Sequence, residues 1–522
     1  MSKVSKSTVL LRNIASNWVG FAVNAAVTLA LTPYVLRELG VERYGIWILT
    51  SSFIGYYGFL DLGFRGGITQ YLTRYLAVQD YRKASECLSS AVAALSLLGL
   101  LMAALSIAGA YAVSLLFSIP PELYNEAFWC VLIVGMSSAI ECIFSSFGSV
   151  FIAKQRFDLS NLIGIGTRLL TAAGIVAALK TGNGLIGVSA AFCGANVIDY
   201  IIRWQVAFRI EPMLRVSLCQ MKFSRLREIA SFGVWNFLMS INCYICTYVP
   251  NILVGTFMPV AAVGHYALAM GLYRQIYSVL APVPQVIYPA ATEMHAQNNL
   301  SSLENLYHKA SRLMMLIMIP VVLVAAFWSD DFYRLWIGEK YLDGSSFDSV
   351  ARIFQILLIG IFTNYSSIIA AQIITGTGRV QTVAKALILG SIINISFSLI
   401  LIRPYGLAGV ASATVVTSLI IDMIAMPLLL KKLLGFSVIL FLQKACFRPM
   451  TACVLLIVVM SCIKLIGHPE NFIQLALIGV LAAIGSVLVF LAVGITKKER
   501  DRFLFEPIRR ILNNKTIFAD SK

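Results

Sequence analysis

The feature that most constrains this chain is a series of long apolar segments that fills almost its whole length. A membrane-spanning helix needs roughly 20 mostly apolar residues. Hydrophobic residues make up 59% of the 522 residues and charged residues 13%, whereas a soluble domain is roughly half apolar and a quarter charged. The sequence therefore predicts an all-α integral membrane protein with about fourteen transmembrane helices. The segments lie near residues 14–36, 45–73, 88–118, 127–150, 160–179, 185–206, 229–257, 262–290, 313–337, 351–375, 383–402, 407–430, 449–466 and 472–494.

The distribution of basic residues predicts the orientation of these helices. The net charge is +16, and alternate loops carry very different shares of it. Loops on the N-terminal side of the membrane hold about 30 Lys and Arg residues, and loops on the other side hold about 7. Cytoplasmic loops are the ones enriched in Lys and Arg. With an even number of helices, both termini are therefore expected in the cytoplasm, and the charge is assigned to orientation rather than to nucleic acid.

The two halves of the chain share an ordered series of short matches. Trp18 and Pro33 are 15 residues apart in the first segment, and Trp235 and Pro250 repeat that spacing in the seventh. The loop segments 81–85 and 307–311 match, and so do the helix openings 184–188 and 406–410. These matches are collinear at separations of 217 to 226 residues, which indicates an internal repeat.

The repeat predicts five parts. They are an N-lobe over 1–207 with six helices, an interfacial cytoplasmic linker over 208–228, a C-lobe over 229–430 with six helices, a final helix pair over 431–494, and a basic cytoplasmic tail over 495–522. Because each lobe has an even number of helices, the two lobes insert in the same direction. Transporters with internal repeats bind substrate at the repeat interface and alternate access to it.

Three arginines in the spans are candidate substrate ligands. Arg274 is 10 residues into its span, about 15 Å deep, and Arg168 reaches about 12 Å. Arg65 lies near the cytoplasmic end of the second span. Charged residues within a membrane are costly and usually face a cavity or a partner. Because guanidinium groups bind phosphate through two hydrogen bonds, these residues favour an anionic substrate.

Acidic residues in the spans are candidates for coupling transport to an ion gradient. They are Asp61, Glu141, Asp199 and Asp422. The alternative for two of them is a local ion pair. Arg203 follows Asp199 by four residues, and Arg65 follows Asp61 by the same spacing, which places each couple on one helix face.

Motifs of enzymes and cofactor sites are lacking. The sequence has no G-x-x-x-x-G-K-[ST], no H-E-x-x-H and no acidic metal cluster in a loop. Cys243 and Cys246 form a C-x-x-C inside an apolar segment without a second ligand pair, which favours packing over metal binding. We therefore expect no enzymatic activity, no cofactor and no metal site.

Several motifs resemble the Wzx-type bacterial polysaccharide (O-antigen and oligosaccharide) flippases of the multidrug/oligosaccharidyl-lipid/polysaccharide exporter superfamily. They are Asn17-Trp18, the segments 31–36 and 39–47, Leu60-Asp61-Leu62-Gly63-Phe64, and 184–188. The resemblance implies a MATE-like fold of two six-helix lobes plus a final pair. It also implies that the chain flips an undecaprenyl-diphosphate-linked oligosaccharide from the cytoplasmic to the periplasmic leaflet of the bacterial inner membrane, beside a polysaccharide polymerase and a chain-length regulator.

The same resemblance bears on the arginines. The related lipid II flippases use arginines of their first, second and eighth helices around a central cavity. Arg65 and Arg274 match at the level of the helix, but no arginine lies within the first span here. The alternative function is a MATE-type, cation-coupled antiporter of drugs or other small molecules, which would depend on the carboxylates rather than on the arginines.

Overall fold

The computed structural model describes residues 6–55, 64–280, 284, 286–344, 347–465 and 467–494. Among these residues, regular structure is helical throughout, without a strand. The first part of the chain forms α1 (Lys6–Gly55), α2 (Phe64–Ala77), α3 (Tyr81–Leu116), α4 (Tyr124–Ala153), α5 (Phe157–Lys180), α6 (Gly184–Ile210), α7 (Phe223–Phe257) and α8 (Val260–Leu280).

The second part continues in the same way. It forms α9 (Ile287–Ala296), α10 (Leu300–Phe327), α11 (Ser329–Ile337), α12 (Val350–Gly376), α13 (Val380–Ser418), α14 (Met426–Leu434), α15 (Val438–Phe441), α16 (Phe447–Lys464) and α17 (Phe472–Val489). Short π-helical turns at Leu419–Ala425, Leu442–Cys446 and Phe490–Gly494 extend these helices.

The described residues contain ten helical stretches that are long and apolar enough to cross a membrane. Two of these stretches, Ser16–Ser52 and Val380–Leu434, each reach over two of the fourteen predicted segments, and the predicted segments 229–257 and 262–290 are not among the ten. The helix α1 runs through Gly40, where φ is 77° and ψ is 167°, and α13 runs through Gly406 in a similarly non-helical conformation. Glycine tolerates these angles because it has no Cβ. Each of the two continuous helices therefore consists of two arms.

The internal repeat is also visible in the backbone conformation. Residues with positive φ stand before α3 and α10, at Gln79 and Asn298, and before α5 and α13, at Gln155 and Gly378. These pairs are 219 and 223 residues apart, within the range of separations found in the sequence. A left-handed residue commonly ends a helix. Equivalent helices of the two halves are therefore preceded by the same kind of turn.

Packing divides the chain into two compact units. The first unit comprises Met1–Leu268 with Leu387–Val410, and the second comprises Ala269–Ala386 with Ala411–Lys522. The lobe, linker and tail boundaries proposed from the repeat follow sequence similarity rather than packing, and they remain predictions. The basic tail over 495–522 and Asp61 lie outside the described residues.

Small residues bring α3 and α4 close together in the first unit. A Cβ added at Gly99 would lie 2.8 Å from the carbonyl oxygen of Ala139, and one at Gly135 would lie 2.3 Å from the hydroxyl of Ser106. Membrane helices associate through such small residues because lipid supplies no hydrophobic drive for their contact. This close packing fixes α4, which carries part of the cavity described below.

The segment between α6 and α7 is held against the start of α3 by a row of serines. Ser89 accepts a hydrogen bond from the backbone NH of Ser217 (3.1 Å), and Ser90 accepts one from that of Lys222 (2.9 Å). The buried carboxylate of Glu86 pairs with the Lys222 ammonium at 2.5 Å and with Arg225 at 3.4 Å. The basic linker is thus attached to the first unit by specific polar contacts.

In the second unit, α10 packs against α12 and against α16 of the final pair. The Lys464 ammonium at the end of α16 donates a 2.6 Å hydrogen bond to the carbonyl oxygen of Phe327 at the end of α10. A cation at a helix C-terminus is favourable because it meets carbonyl groups that have no partner within the helix. The final helix pair is therefore joined to the unit by polar as well as apolar contacts.

Candidate functional site

The first unit contains a cavity of about 430 Å³ whose wall combines charged, polar and aromatic side chains. Four helices form it: α2, α4, α5 and α6. The lining residues that concern its chemistry are Arg65, Glu141, Phe144, Gly148, Thr167, Arg168, Phe192, Asn196, Asp199, Tyr200 and Arg203. It therefore brings together two of the three predicted arginines, Arg65 and Arg168, and two of the predicted acids, Glu141 and Asp199.

Helical periodicity explains why these residues meet. On α4 the lining residues are 141, 144, 145 and 148, and on α5 they are 164, 167, 168 and 171. On α6 they include 192, 196, 199 and 203. Positions three and four residues apart fall on one face of a helix. Each helix thus turns one unusually polar face towards the cavity.

Arg168 has one polar contact among the described residues. Its Nη2 donates a 2.8 Å hydrogen bond to the hydroxyl of Thr28 on α1, and its buried Nε has no partner in the described part of the chain. The side chain is partly buried, and no carboxylate of the described residues pairs with it. A cation in apolar surroundings is costly without a counter-charge. Arg168 therefore gives the cavity a positive charge that an anion would compensate.

Asp199 and Arg203 form the ion pair that their four-residue spacing suggests. Arg203 Nε lies 2.6 Å from Asp199 Oδ2, and the Thr167 hydroxyl donates to Oδ1 at 2.7 Å. Arg203 also donates to the hydroxyl and the carbonyl oxygen of Ser160. Both oxygens of the carboxylate are therefore engaged, and the pair links α5 to α6 in the cavity wall.

Arg65 faces Glu141 in a much looser arrangement. Its Nη1 and Nη2 lie 3.4 and 3.3 Å from the same oxygen, Glu141 Oε1. The other oxygen, Oε2, accepts a 3.4 Å hydrogen bond from the Tyr200 hydroxyl. Both side chains stay well exposed to the cavity, at 49% for Arg65 and 44% for Glu141. A ligand in the cavity can therefore reach the charge of Arg65 or that of Glu141.

The remaining wall includes aromatic rings and a side-chain amide. Phe144 and Tyr200 stack with ring centroids 6.4 Å apart, and Phe192 meets Trp47 edge to face. The amide of Asn196 has no hydrogen-bond partner within the described part of the chain, so its donors and its acceptor remain available. Binding sites commonly combine such apolar surfaces with a few placed polar groups.

Asp422 belongs to the second unit and has a different environment from Asp199. It lies on the π-helical turn Leu419–Ala425, is buried, and accepts hydrogen bonds from Ser367 (2.6 Å) and Asn364 (2.9 Å). No ion pair to it occurs within the described ranges. The two acids lie 223 residues apart, within the range of separations of the repeat, but their surroundings differ: Asp199 is neutralised by arginine, and among the described residues Asp422 is held by neutral donors only.

Arg274, the third predicted arginine, also belongs to the second unit. Its side chain is exposed on α8, and none of the residues that the structure describes forms a hydrogen bond or ion pair with it. The predicted site residues are thus divided between the two units, with Arg65, Arg168, Glu141 and Asp199 in the cavity of the first.

The sequence analysis missed the uncharged part of the cavity. Phe144, Gly148, Asn196 and Tyr200 drew no attention because only ionisable residues and motifs were followed. A usable signal was present, since on α4, α5 and α6 the polar residues and glycines recur at spacings of three and four. In a span that is otherwise apolar, such a face indicates contact with water or a ligand.

Comparison with known proteins identifies the family. The family model described as polysaccharide biosynthesis protein matches residues 36–346, which is more than half of the chain. The chain belongs to this family. An uncharacterized membrane protein of Bacillus subtilis, EpsK, is 22% identical over 94% of this chain and 97% of its own length. A putative O-antigen transporter of Shigella flexneri is 19% identical over 77% and 93%, respectively.

Solved structures with the same fold are transporters. The lipid II flippase MurJ in an inward closed conformation superposes with a TM-score of 0.68 at 17% identity, over 92% of this chain and 99% of that one. An inward-facing multidrug-resistance MATE transporter gives a TM-score of 0.61 at 16% identity, over 80% and 98%. The predicted fold class, a multi-pass all-α membrane protein of MATE-like architecture, is therefore confirmed.

Proposed function

We propose that this protein flips an undecaprenyl-diphosphate-linked oligosaccharide, the repeat unit of a surface polysaccharide, from the cytoplasmic to the periplasmic leaflet of the bacterial inner membrane. Membership of the polysaccharide biosynthesis family and the O-antigen transporter among the relatives support the glycan as cargo. The flippase fold supports movement between leaflets. In this proposal both termini are cytoplasmic, and a polymerase and a chain-length regulator act on the product.

The observation that carries the proposal is the cavity with Arg168. Its guanidinium has a hydroxyl as its hydrogen-bond partner and, among the described residues, no carboxylate. A diphosphate supplies the missing negative charge and accepts two hydrogen bonds from one guanidinium. Phe144, Tyr200 and the amide of Asn196 offer stacking surface and hydrogen bonds for the sugar beside it. Arg65 contributes in the same cavity, and Arg274 of the second unit remains a separate candidate ligand.

Alternating access moves the head group while the prenyl tail stays in lipid. Energy enters through an acid that takes up a coupling ion. Asp422 is the strongest candidate, because it is buried and its hydrogen bonds come from neutral donors. Asp61, Glu141 and Asp199 are the others, although Asp199 is already occupied by Arg203.

A second candidate function is a cation-coupled antiporter of small molecules. Its support is the buried carboxylate of Asp422 and the fold shared with a multidrug MATE transporter. This function predicts dependence on Asp422 and indifference to Arg65, Arg168 and Arg274. The flippase predicts the opposite for the arginines.

Filling the cavity tests its role in transport without altering a charge. A Cβ at Gly148 meets nothing within 4 Å, so Gly148→Leu fits the helix and projects into the cavity. Gly194→Leu is the matched control, because its Cβ is equally unobstructed and Gly194 does not line the cavity. Both changes replace glycine with a better helix former.

Each variant is introduced into a deletion strain, and surface polysaccharide and lipid-linked repeat units are measured. We expect Gly194→Leu to restore the polysaccharide. We expect Gly148→Leu, expressed at the same level, to leave repeat units on the cytoplasmic leaflet. Normal polysaccharide in the deletion strain, together with raised sensitivity to cationic compounds, would instead support the antiporter.

A further inference from the structure

The pairing of Arg65 with Glu141 in the cavity is longer than that of Arg43 with Glu126 elsewhere in the first unit. Arg43 binds Glu126 through Nε and Nη2, each 2.8 Å from a different oxygen. Such bidentate pairs are among the strong hydrogen-bonded ion pairs of proteins. Arg65 instead directs two nitrogens to one oxygen, at 3.4 and 3.3 Å. Charge-assisted hydrogen bonds normally measure about 2.7–2.9 Å.

Exposure weakens the Arg65–Glu141 pair further. Nearly half of each side chain faces the open cavity, where water screens the attraction. Exposed ion pairs contribute only about 0–1 kcal/mol. Replacing Glu141 with another anion at Arg65 therefore costs little, provided that the new anion offers better geometry.

A phosphate group offers that geometry, since two of its oxygens accept parallel hydrogen bonds from one guanidinium. The carboxylate that leaves Arg65 keeps one partner, because Tyr200 on α6 donates to its second oxygen at 3.4 Å. Replacing Glu141 with a phosphate at Arg65 thus leaves the contact between α5 and α6 intact, because Asp199 and Arg203 hold that contact separately.

We infer that Glu141 is an internal counter-anion of Arg65. Its carboxylate lies where a phosphate of the substrate binds, and the anionic head group of the substrate displaces it from Arg65. This inference rests on the proposed function of the cavity. The competition lowers the affinity for the head group, which favours its release after transport. Ligands that bind too tightly to one state would otherwise slow the cycle.

The test is a binding experiment on the purified full-length protein in nanodiscs, with geranyl diphosphate as the probe. The substitution Glu141→Gln keeps the side-chain shape and removes the negative charge. We expect it to tighten binding of the probe by roughly twofold to fivefold, as expected from the loss of one exposed competing charge. Glu126→Gln, whose carboxylate pairs with Arg43 outside the cavity, is the matched control and should leave the affinity unchanged.

Measuring Glu141→Gln in two variant backgrounds distinguishes direct competition at Arg65 from a general electrostatic effect of removing a negative charge. If Glu141 competes for Arg65, Glu141→Gln tightens binding in the presence of Arg168→Ala but has no effect in the presence of Arg65→Ala. Equal tightening in both backgrounds, or tightening by Glu126→Gln as well, would overturn the inference. So would wild-type affinity in Glu141→Gln. None of these three results contradicts the proposed flippase function, provided that Arg65→Ala and Arg168→Ala weaken binding of the probe. If those two variants bind like wild type, the proposed function of the cavity fails as well.

Discussion

Arg168 on α5 is held by Thr28 on α1 through a hydrogen bond of 2.8 Å. Thr28 in turn donates its own proton to the carbonyl oxygen of Asn24, one turn earlier. Its hydroxyl is thereby oriented to accept from the guanidinium. The contact ties the first span to the cavity wall and fixes the direction of a positive charge that has no carboxylate partner within the described residues.

Loss of this hydrogen bond should impair transport without unfolding the protein. Thr28→Val keeps the side-chain shape and removes the acceptor, so we expect polysaccharide export to fall severalfold while the melting temperature changes little. The matched control is Thr256→Val, because the Thr256 hydroxyl also donates to a carbonyl oxygen four residues earlier and lies on an exposed face of α7. Equal export by both variants would show that Thr28 does not orient Arg168.

The Asp199–Arg203 pair should matter for stability. Arg203→Leu leaves the buried carboxylate of Asp199 without its cation, and breaking a buried pair in this way costs roughly 3–5 kcal/mol. We expect a clearly lower melting temperature in detergent. The double variant with Asp199→Asn should recover most of the loss, since no buried charge remains. A double variant as unstable as the sum of the two single variants would contradict a direct pair.

The sequence was sufficient for the fold class because hydropathy and the repeat act over long stretches. It also indicated Arg65, Arg168, Glu141 and Asp199, since charges within a span are rare. It did not reveal that Glu141, 76 residues away from Arg65, is its partner, because contacts between helices depend on how the helices rotate and pack. The four-residue spacing within one helix did indicate the Asp199–Arg203 pair, whereas the neutral partners of Asp422, Ser367 and Asn364, lie on another helix and were not predicted.

The serine row on α3 should keep the linker attached. Ser89→Ala removes a hydrogen bond from the backbone NH of Ser217, and Glu86→Gln removes the charge that binds Lys222 and Arg225. We expect trypsin to cut the double variant within the linker several times faster than it cuts the wild type. Ser96→Ala is a suitable control, because that serine donates only to a carbonyl oxygen of its own helix. Unchanged cleavage would mean that the row does not hold the linker.

Asp422 should be required for coupling rather than for folding. Asp422→Asn retains an acceptor for the Ser367 hydroxyl and removes the charge. We expect normal expression, and transport that no longer accelerates when an ion gradient is imposed on vesicles. Transport that responds to the gradient as in the wild type would assign coupling to another acid.

The native Cys219 allows a test of the proposed orientation. It lies in the linker, is exposed, and is not part of a disulfide. With the other cysteines replaced, a membrane-impermeant maleimide should label it in inverted vesicles but not in intact spheroplasts. A variant whose single cysteine comes from Glu470→Cys, in the loop between α16 and α17, should show the reverse. Labelling of both positions from the same side would contradict the predicted topology.

The most direct test of the central claim is a flipping assay on the purified protein. Proteoliposomes carry a fluorescent undecaprenyl-diphosphate oligosaccharide, and a membrane-impermeant quencher reports the fraction in the outer leaflet. We predict that the wild-type protein exchanges the lipid between leaflets and that Arg168→Ala, folded and inserted to the same extent, does not. No exchange by the wild type, or equal exchange by Arg168→Ala, would contradict the account.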